Sequence, residues 1–160
     1  MEAILFPGFL LLLCILCGAA TLIDMRHGII PNGLNLAIAA LGLTRTILAD
    51  GAMGCVGAIR DAIVVGAICW LLRRSYFALR KVQGLGLGDV KFLAASAIWV
   101  GLPGTPMLIL IAALTALIAA GGLQIAGHSL TRRTSLPFGP FLAIGLLSAL
   151  ALQHWLASRS

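Results

Sequence analysis

Apolar residues run through this chain in long blocks separated by short polar, glycine- or proline-bearing stretches. Six blocks stand out, at about residues 3–23, 33–49, 56–72, 89–102, 105–126 and 138–157. A helix that crosses a bilayer needs about 20 predominantly apolar residues, so each block predicts a spanning helix. The fold class predicted is all-α: a polytopic membrane protein with six transmembrane helices in a single domain over residues 1–160. The second and fourth blocks are short, which places their ends against protein or water. The first resembles a secretory signal only in part. Its second residue is Glu2 and no basic region precedes the apolar run, so a retained helix is expected.

Composition sharpens this picture. Hydrophobic residues make up 61% of the chain, charged ones 10%, and the mean hydropathy is +1.08; soluble domains are about a quarter charged. The net charge of +6 needs no nucleic acid, because anionic headgroups account for it. Arg26, Arg73, Arg74, Arg80, Lys81, Lys91, Arg132 and Arg133 fall on one side of a six-helix topology, against Arg45, Arg60 and Arg159 on the other. The positive-inside rule puts the first group in the cytoplasm and both termini outside it. Cys14 and Cys17 have the spacing of a metal or redox pair but sit mid-helix with no second pair. They read as small apolar filler, like Cys55 and Cys69. No cofactor and no metal is expected.

Acids are scarce, so each one carries information. Glu2 and Asp50 fall at segment ends on the outer side, where solvation explains them, and Asp61 suits an ion pair with Arg45 or an interfacial position beside Arg60. Asp24 closes the first block and Asp89 opens the fourth, and the topology brings both to the cytoplasmic membrane edge. Three interruptions of regular helix lie at that same edge. "DMRHGIIPN" carries Pro31 and Asn32 after Asp24. "GLGLGD" places Gly84, Gly86 and Gly88 before Asp89, and "LPFGPF" holds Pro137, Gly139 and Pro140. Irregular backbone at membrane depth is tolerated where it lines a cavity. The glycines admit close backbone approach or positive φ; a mobile Gly84–Gly88 segment that swings Asp89 toward Asp24 and a simple close packing are both open.

Two carboxyl groups facing one cavity share a proton and titrate as a unit. The ionised partner draws a proton from water while the protonated one polarises a peptide carbonyl. His27, His128 and His154 are scattered and supply no triad; two aspartates without histidine make a poor zinc site, with room left for another divalent ion. Asp24 ends a helix and Asp89 starts one, so the helix dipoles tilt the proton toward Asp24 and leave Asp89 as resting base. A proton-coupled carrier using the same aspartates as relay sites is the alternative, and a noncatalytic assembly subunit a third reading.

"GLGDVKFLAA", "D" at 24 followed by "IPN" at 30–32, and "LPFGPFLAIG" at 136–145 together resemble the signatures of bacterial type IV prepilin peptidases, in family order and over most of the chain. The resemblance implies a membrane aspartic endopeptidase. Such an enzyme removes the short basic leader from prepilins or pseudopilins of type IV pilus and protein secretion systems, at the cytoplasmic membrane edge. Asp24 and Asp89 carry over as the catalytic pair; Gly86, Gly88, Lys91, Pro31, Asn32, Pro137, Gly139 and Pro140 carry over as residues that shape the site. For Lys91, snorkelling to headgroups is the structural reading. The first motif arrives at residue 24 with no cysteine pair in a cytoplasmic loop. That resembles the short, peptidase-only forms of tight-adherence pilus systems and argues against N-methyltransferase activity.

Overall fold

The computed structural model describes residues 2–81, 85–125 and 137–159. Gly84, His128, Arg132, Arg133 and the side chain of Glu2 lie outside the described residues. The described chain is helical: α1 (Glu2–His27), α2 (Asn32–Arg80), α3 (Leu87–Ile125) and α4 (Gly139–Ala157). All four are long and apolar enough to cross a membrane. Leu11, Leu12 and Ile15 on α1 and Leu114, Leu117 and Ile118 on α3 point outward, as apolar side chains do when lipid is the solvent.

Two helices are interrupted inside. Gly51 in α2 (φ 69°, ψ −162°) and Gly101 in α3 (φ 70°, ψ 172°) leave the helical region. A positive φ is nearly free for glycine and strained for any residue with a Cβ. Contacts across α2 show what the break at Gly51 does. Before it, Asn35 meets Gly88 and Ile38 meets Trp99, so contact numbers rise together. After it, Asp61 meets Leu102 and Arg73 meets Leu85, so they run in opposition. The chain therefore reverses at Gly51. Pro103 and Pro106 follow Gly101 within the next turns of α3; a proline early in a helical segment wastes few amide donors.

Between 56 and 80 the helix outruns the sequence expectation, which ended it at 72. It continues through "RRSYFALR" and closes at Lys81, whose φ of 57° puts it in the left-handed region. Apolar length measures immersion in lipid, whereas arginine, alanine and leucine remain good helix formers outside it.

The first half of α3 is the core of the bundle. Val90, Phe92, Leu93, Ala95, Ala97, Ile98, Trp99 and Val100 are all buried, a nearly unbroken run that only a helix enclosed by other helices can show. Trp99 satisfies its indole N–H on the Ile38 carbonyl at 3.0 Å, and a Cβ on Gly42 would stand 2.7 Å from that nitrogen. Small residues admit the close approach. Beyond the break, α3 packs on α4, where Gly145 lies against Leu108 and Ala112.

Candidate functional site

At one end of the bundle the last turn of α1 meets the first turns of α2, α3 and α4. They enclose an open cavity of about 780 Å³ lined by Asp24, Met25, Gly28, Ile29, Ile30, Asn32, Leu85 to Asp89, Lys91, Pro137 and Phe138. Both aspartates of the sequence analysis thus line one cavity, and their carboxyl groups interact electrostatically. Asn32, Gly86, Gly88, Lys91 and Pro137 line it as well. Pro31 stands one step outside as the extended N-cap of α2, and Gly139 and Pro140 open α4 behind Asp24.

Asp24 lies within the last turn of α1, which runs on to His27 and ends at Gly28, a residue with φ of 66° whose N–H bonds back to the Asp24 carbonyl at 2.8 Å. The Asp24 side chain is only 5% exposed. Its Oδ2 accepts the backbone N–H of Gly139 at 2.7 Å. The N-cap of α4, Phe138, offers no capping side chain, so a carboxylate from a different helix fills that role. Carboxylates are favoured there because helix N-termini carry orphan donors and partial positive charge. Pro140 gives up no useful donor in that first turn. A Cβ on Gly139 would stand 2.7 Å from Asp24 Oδ2 and 2.9 Å from Asp24 Cβ, closer than real atoms approach. Only glycine fits.

Asp89, half-buried, lies in the first turn of α3. The Gly86 N–H donates to its carboxylate, and the Val90 N–H bonds the Gly86 carbonyl at 3.2 Å. The second of these is the first hydrogen bond of α3, and the acid reaching back to the N-cap amide is one half of a capping box, since glycine has no side chain to supply the other half. Gly86 and Gly88 are absent from the positive-φ glycines, so space is what they provide. A Cβ on Gly86 would lie 3.0 Å from Asp89 Oδ2, and one on Gly88 would lie 3.3 Å from the Ile30 backbone.

Both carboxylates are therefore held by backbone amides at helix N-termini. The dipole argument from sequence gave Asp24 the proton because it set Asp24 against the C-terminus of α1 alone and Asp89 against the N-terminus of its own helix. The N-terminus of α4, brought in by the fold, cancels that asymmetry, and the dipoles no longer separate the pair.

Lys91 has a definite partner: its Nζ donates to Asn32 Oδ1 at 2.7 Å, a tie between α3 and α2 in place of the free snorkel expected. Asn35, three residues on from Asn32, escaped the sequence analysis. It is buried, and its Nδ2 donates to the Gly88 carbonyl at 3.3 Å. A polar residue inside an apolar block was the signal. Asp61 lies at the opposite end, where Oδ1 pairs with Arg60 at 2.8 Å and Oδ2 accepts the Leu102 N–H at 2.9 Å. It caps the helix that resumes after Gly101. Arg45 instead stacks over Trp99. Among the described residues no group of three or more His, Cys, Asp or Glu side chains stands together, so the cavity's acidic donors are the two aspartates.

Residues 11–121 match the model of the type IV leader peptidase family, a span holding both aspartates. Three similar proteins each bear the name prepilin leader peptidase/N-methyltransferase. One from Burkholderia pseudomallei is 36% identical over 137 residues, 83% of this chain and 42% of its own length. One from Dickeya chrysanthemi is 35% identical over 151 residues, 92% of this chain and 53% of its own. One from Escherichia coli K12 is 32% identical over 139 residues, 86% of this chain and 60% of its own. The chain spans about half the length of the curated relatives it matches. No solved structure matches it.

Proposed function

Given that the chain belongs to the type IV leader peptidase family, we propose that it is an aspartic endopeptidase of the bacterial inner membrane. In this reading it cuts the leader from a prepilin or pseudopilin, with Asp24 and Asp89 as its catalytic residues. One observation carries the reading: two carboxyl groups 65 positions apart in sequence line a single open cavity, each fixed by backbone amides. One aspartate, ionised, takes a proton from a water molecule as its oxygen adds to the scissile carbonyl carbon. The other, protonated, hydrogen-bonds the carbonyl oxygen as negative charge builds there. The tetrahedral adduct then expels the peptide nitrogen, which leaves with a proton from the pair. Family membership favours this chemistry over a proton-coupled carrier.

A straight helix of 49 residues would extend about 74 Å, more than twice the ~30 Å hydrocarbon core. We therefore read α2 and α3 as each crossing twice, with Gly51 and Gly101 at the turning points, for six crossings in all. Arg26, Arg73 and Lys91 lie at the cavity end, so that end faces the cytoplasm and the far ends of α1 and α4 face the periplasm. The leader would then enter from the cytoplasm with the pilin's apolar helix lying against the bundle. The proposal covers peptide-bond hydrolysis; methyl transfer belongs to the relatives' names and is not assigned to this cavity.

The test is incubation of membranes bearing the chain with a prepilin precursor. Asp24→Asn and Asp89→Asn should each abolish leader removal while the protein still folds and inserts. Wild-type processing by either variant would refute the proposal.

A further inference from the structure

The first turn of α2 grips the first turn of α3 at two points on either side of Asp89. Asn32 and Asn35, three residues apart, lie on one face of α2. Asn32 Oδ1 takes the Lys91 ammonium at 2.7 Å, and Asn35 Nδ2 reaches the Gly88 carbonyl at 3.3 Å. The second grip is the unusual one. Asn35 is 5% exposed, and its Oδ1 is buried with no hydrogen-bond partner. The orientation of the amide is settled by its neighbour, because only the NH₂ group can meet a carbonyl oxygen favourably. Leaving that oxygen unpaired carries a desolvation cost that a leucine of similar size would avoid, at the loss of the donor to the Gly88 carbonyl. An asparagine here therefore costs stability, and what it gains is the hold on Gly88, the residue before Asp89.

We propose that Asn35 is a positioning residue that sets the height of Asp89 in the cavity through the Gly88 carbonyl, with the Lys91–Asn32 pair as the second point of the clamp. This rests on the peptidase reading above. A small displacement of a reacting group is enough to slow chemistry severely, up to about a hundredfold for roughly 1 Å. Loss of the Asn35 donor should lower kcat and leave KM nearly unchanged, since the cavity lining that meets substrate is kept.

Two variants separate positioning from mere packing. Asn35→Leu has no donor at any pH, and its kcat should fall about 10- to 100-fold. Asn35→Asp carries a donor only while the introduced carboxyl is protonated. Its kcat, as a ratio to wild type, should approach one in acid and decline as pH rises and the carboxylate turns an acceptor toward the Gly88 carbonyl. Taking the ratio at each pH removes what Asp24, Asp89 and Lys91, the ionisable groups lining the cavity, contribute to both proteins alike. Wild-type kcat in Asn35→Asp at every pH, or an equal loss at every pH, would overturn the inference. If Asn35→Leu fails to fold, that ratio decides alone. Asp89→Asn is run alongside. Cleavage by Asp89→Asn at the wild-type rate would overturn the peptidase reading and this inference with it. An inactive Asp89→Asn beside fully active Asn35 variants would overturn the positioning role only.

Discussion

Gly139→Ala puts the least chemistry into the protein and asks the most of the site. Gly139 has no positive φ, so alanine suits its backbone. The objection is purely steric. The new methyl would lie 2.7 Å from Asp24 Oδ2, 2.9 Å from Asp24 Cβ and 3.0 Å from Asp24 Cγ. Carbon atoms settle near 3.5–4.0 Å, so α4 and the carboxyl must separate by roughly 0.5–1 Å. Rotating the carboxylate cannot relieve the contact with Cβ, which is fixed by the α1 backbone. The separation also stretches the Gly139 N–H bond beyond its 2.7 Å. A misplacement of that size costs about a hundredfold, or about 2.7 kcal/mol of barrier, with about 1–3 kcal/mol of stability lost to overpacking. The assay is kcat and KM on a prepilin precursor in lipid nanodiscs, with thermal unfolding of the same preparation. We expect kcat to fall about a hundredfold and most of the protein to stay folded. A folded Gly139→Ala protein with kcat within about twofold of wild type would refute the claim that the amide of α4 positions Asp24.

Three further outcomes follow from the same geometry. Gly86→Ala presses a methyl against the rotatable end of Asp89 at 3.0 Å and should cost no more than about tenfold in kcat, about 1.4 kcal/mol, measured in the same assay. Asp61→Ala removes the cap on Leu102 and the Arg60 pair. It should cost about 1 kcal/mol of stability, seen as a lower unfolding temperature, while kcat per folded molecule is unchanged. Lys91→Met severs the tie to Asn32; it should reduce kcat without altering the amount of protein inserted in the membrane, as read by quantitative immunoblot of membranes.

How far the sequence carries depends on which interaction decides each feature. Membrane blocks and their interruptions are written in local composition, so an all-helical apolar chain and the breaks around Pro31 and Gly139 were legible, although the six blocks fall into four helices among the described residues. Positive φ at Gly51 and Gly101 was not, because a reversing glycine and a packing glycine look alike until the backbone is seen. The glycines before Asp89 show the same ambiguity in the other direction, since they serve space and not turn geometry. Asp61 was legible as structural but not as a cap, for its partner Leu102 lies 41 residues away. The error about the dipoles has the same origin. Asp24 was weighed against its own helix, while the helix that matters to its carboxylate begins 115 residues later.

The account stands on two carboxyl groups working as one unit, and non-additivity tests this most directly. kcat for leader cleavage should be measured for Asp24→Asn, Asp89→Asn and the double variant, each checked for folding. Groups that act together are lost together, so each single variant should be as inactive as the double. If each single variant instead keeps substantial activity and the losses multiply in the double, the two aspartates act independently and the account is wrong.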